Sequence, residues 1–241
     1  MTGLTSVGRD ALNLLFPARC AACEAACGPR GDGLCAACRA GLEHNFRQSY
    51  CPRCGSTVGP YGASDGRCSH CRGRSVPVGG IVRLGTHDGP LRDLLLAFKY
   101  AGREELDRRF GRWLAERLRA APWFGELEAI APVPTCWHRH LLGRPYVATE
   151  LARQLARAAD LPDLPLLRRI RGGPSQVGLT YTQRLENVRG AFRLAPGVRL
   201  DRAVVCLVDD VTTTGATLAE CARVLRRSGA ARVYAAVVCK Q

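Results

Sequence analysis

A chain of 241 residues with 46% hydrophobic and 23% charged residues can bury one ordinary α/β core plus a small appendage, and those proportions exclude wholesale disorder. Its formal charge of +14 points towards polyanionic partners, but two of the 35 basic residues are lysine (Lys99 and Lys240) and the rest are arginine, a skew that a GC-rich genome produces on its own. No run approaches the roughly 18 apolar residues of a membrane span, and the start of the chain lacks a secretory leader, so the expected compartment is the reducing cytoplasm.

In chain order, residues 4–16 carry Leu4, Val7, Ala11, Leu12, Leu14, Leu15 and Phe16 at helical spacing and stop at Pro17. They predict a short amphipathic helix within an N-terminal segment 1–19. Residues 20–75 hold four Cys-x-x-Cys pairs: Cys20 and Cys23, Cys35 and Cys38, Cys51 and Cys54, Cys68 and Cys71. Two intervening residues let both sulfurs of a knuckle meet one tetrahedral ion, so the segment reads as a double zinc ribbon with two four-cysteine Zn2+ sites. The spacing leaves open whether successive or interleaved pairs share an ion. With few large apolar residues, the ribbons would draw much of their folding free energy from metal and carry a core separate from the rest. Eight thiolates and two divalent ions would lower the net charge to about +10. Cys27, His44 and His70 fall outside the pattern as bystanders.

Residues 72–79 read as a linker to a domain over 80–241. There the periodicity predicts a strand at 80–84, a helix at 90–100 with Leu91, Leu94, Leu95 and Phe98 on one face, and a helix at 104–121. A strand at 129–133 leads into a donor-rich loop at 134–140, and a helix follows at 145–159. A strand at 164–167 precedes a long basic stretch at 168–181, where Arg168, Arg169, Arg171, Gln176 and, beyond it, Arg184 suit a lid over an anion. A short helical turn at 184–189, a strand at 192–194 and a strand at 232–239 that closes the sheet complete the pattern. Strands alternating with helices predict a parallel α/β layer structure.

The chain is organised around residues 204–217. A β-branched run to Val208 predicts a buried strand, and residues 216–227 predict a helix that Gly229 ends. Between them stand Asp209, Asp210, Thr212, Thr213, Thr214, Gly215, Ala216 and Thr217. The amides of such a loop and of the first helical turn can hold a phosphate, the threonines add hydroxyl donors, and adjacent carboxylates at a strand end need sugar hydroxyls or a divalent cation to hold. Together they suggest a sugar phosphate.

This stretch resembles the phosphoribosyl pyrophosphate (PRPP) motif of type I phosphoribosyltransferases. The order of paired-cysteine ribbons, Phe98-Lys99-Tyr100, Pro132-Val133-Pro134, the Gln176 to Asn187 region, Gly190-x-Phe192 and the Asp209 to Thr217 loop resembles the ComF family of competence-associated phosphoribosyltransferase-like proteins. That resemblance implies a type I phosphoribosyltransferase-like parallel sheet flanked by helices, with a small N-terminal zinc-ribbon domain. It implies that Asp209 and Asp210 hold the ribose hydroxyls, that Thr213 to Thr217 hold the 5'-phosphate, and that Pro134, Thr135, Arg139, Arg184 and Lys99 surround the pyrophosphate with Mg2+. Purine-salvage relatives carry an aspartate base where this chain has Thr213, and residues 143–147 depart from the family pattern around the second substrate. Two functions are therefore implied: phosphoribosyl transfer to an acceptor with release of pyrophosphate, or a non-catalytic role in DNA uptake with single-stranded DNA and a helicase as partners.

Overall fold

The computed structural model describes residues 18–27, 32–59, 62–64, 66–73, 76–100, 105–135, 147–172 and 180–241. The expected helix at 4–16, Arg139 and Gln176 lie outside them.

Four parallel strands form the central sheet: β3 (Ile81–Thr86), β4 (Ala129–Pro132), β7 (Val204–Thr212) and β8 (Arg232–Lys240). Their order is β3-β8-β7-β4. The strand expected to close the sheet therefore runs through its interior, paired with β3 on one side and β7 on the other. The residues explain why: Val233 to Cys239 are buried without interruption, a pattern that fits a strand covered on both faces better than an edge. Alternate residues of β7 and β8 feed two cores. Cys206, Val208, Tyr234, Ala236 and Val238 face one, and Val205, Leu207, Val233, Ala235 and Val237 face the other.

On the first face lie α2 (Gly89–Tyr100), α3 (Glu105–Arg119) and α4 (Val147–Ala159), each turning an apolar stripe inward. Gly111 lets α3 and α4 approach; a Cβ there would sit 2.6 Å from Gln154 Cβ and 2.8 Å from its main-chain carbon. The second face is covered by α6 (Ala216–Arg227), by α5 (Tyr181–Val188) and by a small antiparallel pair, β5 (Leu167–Arg169) with β6 (Phe192–Leu194). The last two were expected in the main sheet. They are too short to span it and instead cap its second face, where Leu167 and Phe192 are buried.

The first ribbon does not have a core of its own. Its helix α1 (Ala36–Arg47), which the sequence reading does not contain, buries Cys38 and Leu42 in one cluster with Val82, Leu84, Leu91 and Phe110. Asn45 of α1, 3% exposed, accepts from the Thr86 amide at 2.8 Å and donates to the Thr86 carbonyl at 3.3 Å and to Asp88 at 2.8 Å. Phe46 meets Trp113 edge-on at 5.2 Å, and Arg117 donates to the Phe46 carbonyl. The first ribbon is a layer of the main body because its helix covers the β3 end of the sheet. The second ribbon keeps its own small cluster of Cys51, Cys68 and Cys71 with Cys54, Val58 and Val76, and contains the two-residue hairpin β1 (Ala63–Ser64) and β2 (Arg67–Cys68).

Candidate functional site

Two cysteine tetrads form, each from successive pairs: Cys20, Cys23, Cys35 and Cys38, then Cys51, Cys54, Cys68 and Cys71, with all sulfurs of a set within 4.8 Å of one another. The alternative of interleaved pairs is excluded. Sulfurs at about 2.3 Å from a tetrahedral zinc lie about 3.8 Å apart. The separations of Cys23 from Cys35 (3.7 Å), Cys51 from Cys71 (3.8 Å) and Cys54 from Cys68 (3.5 Å) match that edge. The donor chemistry fits as well, because burial pushes the Cys54 thiol up to about 12. Four thiolates hold together there only with a cation among them.

Around the second tetrad stand two cations of the sheet. Arg83 is 1% exposed, donates from Nη2 to Thr57 at 2.8 Å and lies 5.1 Å over the Tyr50 ring, with Nε and Nη1 lacking a hydrogen-bond partner among the described residues. Lys240 runs beside Gly55, whose added Cβ would meet Lys240 Cδ at 3.9 Å, and its ammonium donates to the Thr213 carbonyl. Burial pulls both side chains below their ordinary range, and the Cys54 thiolate acts in the opposite sense on each. A zinc ion with four thiolates would be a dianion, and these two cations would offset part of its charge.

Strand β7 runs four residues past the expected end at Val208, because β8 continues to pair with it as far as Thr212. Its other neighbour β4 stops at the Pro132–Val208 register, and the Val133 amide donates to the Val208 carbonyl at 2.9 Å. Asp209 and Asp210 therefore lie within a strand but beside the end of β4, at the carboxyl edge of the sheet where α/β folds place ligands. Their main chain is braced locally: the Asp210 amide donates to Asp209 Oδ1 at 2.9 Å, and the Val211 amide to Asp210 Oδ1 at 2.6 Å. Lys99, at the end of α2, forms an ion pair with Asp210. Burial and then the Asp210 charge hold the Asp209 carboxyl well above the usual carboxylate range. His87 lies nearby, pulled below its ordinary value by burial and by Lys99.

After Thr212 the chain turns into α6 through Gly215, whose φ of 76° and ψ of 6° place it in the left-handed region. That conformation is the reason for glycine; an added Cβ would meet nothing nearer than Thr212 Oγ1 at 4.0 Å. Gly215 is the N-cap and offers no side chain to the first-turn amides, which leaves the positive end of a twelve-residue helix facing the loop. The Ala216 amide donates to Thr214 Oγ1 at 3.3 Å, and Arg184 of α5 donates to Thr213 Oγ1 at 2.5 Å. Thr212 and Ala216 are buried, whereas Thr213, Thr214 and Thr217 remain partly open.

The structure brings Asp209, Asp210, Lys99, Thr213, Thr214, Gly215 and Arg184 into one connected site, with Pro134 and Thr135 following β4 at its side. Of the expected lid arginines it brings Arg184 there. Arg168 and Arg169 belong to β5, Arg169 lies 5.5 Å over the Phe192 ring, and Arg171 donates to the Arg189 carbonyl at 2.6 Å. The sequence reading misses Lys240. Its signal was present: it is the second of two lysines in an arginine-rich chain, at the carboxyl end of a strand. Also missed is a cavity of about 510 Å³ between the loop and the second ribbon, bounded by Thr212 to Ala216 on one side and by Arg53, Cys54, Ser56 and His70 on the other.

Comparison with known proteins places these parts among relatives. A family model described as a double zinc ribbon domain matches residues 11–72, and one described as a phosphoribosyl transferase domain matches residues 138–241. The two tetrads fit the first. Competence protein F of Haemophilus influenzae is 33% identical over 220 residues, covering 89% of this chain and 93% of that protein. The DNA utilization protein YhgH of Escherichia coli (strain K12) is 31% identical over 232 residues, 94% of this chain and 99% of its own. An adenine phosphoribosyltransferase of Mycolicibacterium paratuberculosis is 34% identical over 122 residues, 48% of this chain and 68% of that enzyme. No helix among the described residues is long and apolar enough to cross a membrane.

Proposed function

The chain, in which a double zinc ribbon precedes a phosphoribosyl transferase domain, belongs to the family of Competence protein F and the DNA utilization proteins YhgH, and from this membership and the site's geometry we propose that it binds PRPP and transfers the phosphoribosyl group to an acceptor. In this reading residues 20–75 are the ribbons and 80–241 the transferase-like part. The observation that carries it is the joint placement of the Asp209–Asp210 pair and the Gly215 turn on one strand-loop-helix unit.

Each group then has a task. Asp209 and Asp210 accept hydrogen bonds from the 2' and 3' hydroxyls of ribose. The amides and hydroxyls of residues 213–217 donate to the 5'-phosphate, supported by the α6 dipole. Lys99 and Arg184 flank the pyrophosphate, with Pro134 and Thr135 after β4, and Arg139 is assigned to the same group by its position in the sequence alone. Lys99 balances Asp210, and burial with the Asp210 charge disfavours a second charge on Asp209, so a cation brought beside the pair would favour its ionised form. A magnesium ion accompanying PRPP would neutralise charge on the departing pyrophosphate. The fixed donors stabilise the charge that develops as the anomeric bond breaks, so electrostatics carries the reaction rather than a covalent enzyme intermediate.

Thr213 favours a second reading. Where purine-salvage relatives carry an aspartate base, this chain has a hydroxyl already engaged by Arg184. The site would then bind PRPP or a DNA phosphate without turnover, in a DNA-uptake role with single-stranded DNA and a helicase. Cysteines held as metal-binding sets rather than disulfides among the described residues suit a reducing compartment in either case.

Calorimetry with ribose 5-phosphate and with PRPP plus magnesium, on wild type and on the Asp209→Asn, Asp210→Asn double variant, tests the assignment. The variant should lose about 1 to 3 kcal/mol per charged hydrogen bond to ribose and more for PRPP. Equal losses for both ligands would show the carboxylates to be misassigned. Pyrophosphate release from PRPP in the presence of candidate bases or single-stranded DNA separates the two readings.

A further inference from the structure

The cavity between the second ribbon and the loop after β7 has a composition that the reading above does not use. Its volume of about 510 Å³ is that of a small-molecule pocket. One water occupies about 30 Å³ of liquid, so a bare phosphate of five heavy atoms resting on the loop would leave most of the space to something else. The described lining contains no carboxylate; Arg53 and Arg223 supply positive charge, Arg223 sharing its own with Glu220, and Lys240 stands with Cys54 and Cys71, which also line it. Arg53 donates to the Gly79 and Val76 carbonyls at 3.0 Å each, which fixes its guanidinium, and its buried Nε has no partner among the described residues. Val78, Ile81 and Leu218 contribute apolar atoms to the same lining. Anion donors beside apolar walls, with no carboxylate in the described lining, suit a nucleotide.

The carboxylates Asp209 and Asp210 do not line this cavity, whereas Thr213, Thr214 and Gly215 do. The loop therefore borders the cavity as well as following the carboxylates. We infer that the second ribbon and the loop together form a nucleotide subsite, and that the protein takes a ribosyl 5'-phosphate extended through that phosphate into a nucleoside phosphate, a ligand of the ADP-ribose class. This rests on the loop holding the 5'-phosphate. The second ribbon then serves as a wall of the binding site, which explains why its Cys54 knuckle is packed against Lys240 and β3.

The test is calorimetry on the zinc-loaded full chain with ribose 5-phosphate, AMP and ADP-ribose as probes. ADP-ribose should bind at least about tenfold tighter than ribose 5-phosphate. Ala219→Phe, one turn into α6, places a ring in the cavity and should erase that advantage while leaving ribose 5-phosphate within about twofold. Arg223→Ala, at a half-exposed position paired with Glu220, should weaken AMP and ADP-ribose but not ribose 5-phosphate, and supplies the same comparison should Ala219→Phe fail to fold. ADP-ribose binding no tighter than ribose 5-phosphate, or a variant weakening all three probes alike, would overturn the subsite. AMP binding that Ala219→Phe abolishes, with no affinity for ribose 5-phosphate, would keep the subsite and overturn the reading of the loop.

Discussion

The ammonium of Lys240 donates to the main-chain carbonyl of Thr213, tying the end of β8 to the turn that follows β7. The same side chain passes beside Gly55 in the second ribbon, so a single residue links the zinc-binding knuckle to the proposed phosphate cradle. Lys240→Met keeps the aliphatic stem and removes the charge. It should weaken ribose 5-phosphate about tenfold, or about 1.4 kcal/mol, since a bond from a charged donor holds the loop in its turn. An unchanged affinity by calorimetry would mean that the loop keeps its shape without the lysine.

The two ribbons should respond differently to loss of a ligand. Elemental analysis of reduced protein is expected to find two zinc ions per chain. Cys54→Ser removes one of them and loosens a ribbon with its own small cluster, so it should lower the unfolding midpoint of the main body less than loss of the first site does. Cys38→Ser removes the other and releases α1 from the shared core, which should destabilise the whole chain by about 2 to 5 kcal/mol, the range for emptying a buried apolar site. Urea unfolding followed by far-ultraviolet dichroism decides between them. Identical curves for the two variants would contradict the unequal docking.

Much of the site was legible because its signals are local. The β-branched run to Val208, the Asp-Asp step, the threonines and Gly215 each report on a neighbour a few residues away. The cysteine pairs were legible for the same reason. What escaped depends on distant residues: β7 reaches Thr212 because β8 pairs with it to Lys240, and β8 is central because β3 and β7 both select it. Nothing near Asn45 in sequence announces that it will cap Thr86, 41 residues away. The short β5 and β6 strands had the right composition, but their partner was each other and not the sheet.

That cap can be tested by a double-mutant cycle. Asn45→Ala leaves the Thr86 amide without an acceptor in a buried setting and should cost about 1 to 3 kcal/mol. Gly85→Ala should also destabilise, because the added methyl would collide with the Asn45 side-chain oxygen and come within 3.0 Å of Leu91 Cδ2. Shortening residue 45 removes the collision, so the double variant should be more stable than the sum of the two losses by about 0.5 to 3 kcal/mol. Strict additivity in denaturant unfolding would separate the two effects and deny that Asn45 is the group that excludes a side chain at position 85.

The last prediction concerns the pH dependence of the ligand-free protein. Burial and the Asp210 charge raise the Asp209 carboxyl in the folded state, so the folded chain holds this proton more tightly than the unfolded one does. As pH rises from the ordinary carboxylate value of about 4, the unfolded state ionises first and binds fewer protons than the folded state. Stability therefore falls through that window and levels off once pH passes the raised value. Asp209→Asn has nothing to titrate there and should flatten the curve, making the variant more stable than wild type in mildly alkaline buffer and not at low pH. Lys99 opposes the shift on Asp209, so Lys99→Met should move the raised value further up and extend the window. Magnesium supplies the missing positive charge in the proposed site, and its stabilising effect on wild type should grow with pH and vanish in Asp209→Asn. Urea unfolding from about pH 4 to about pH 9, with and without magnesium, checks all three statements. Parallel curves for wild type and Asp209→Asn would place the proton elsewhere and remove the argument that a cation beside the pair favours its ionised form.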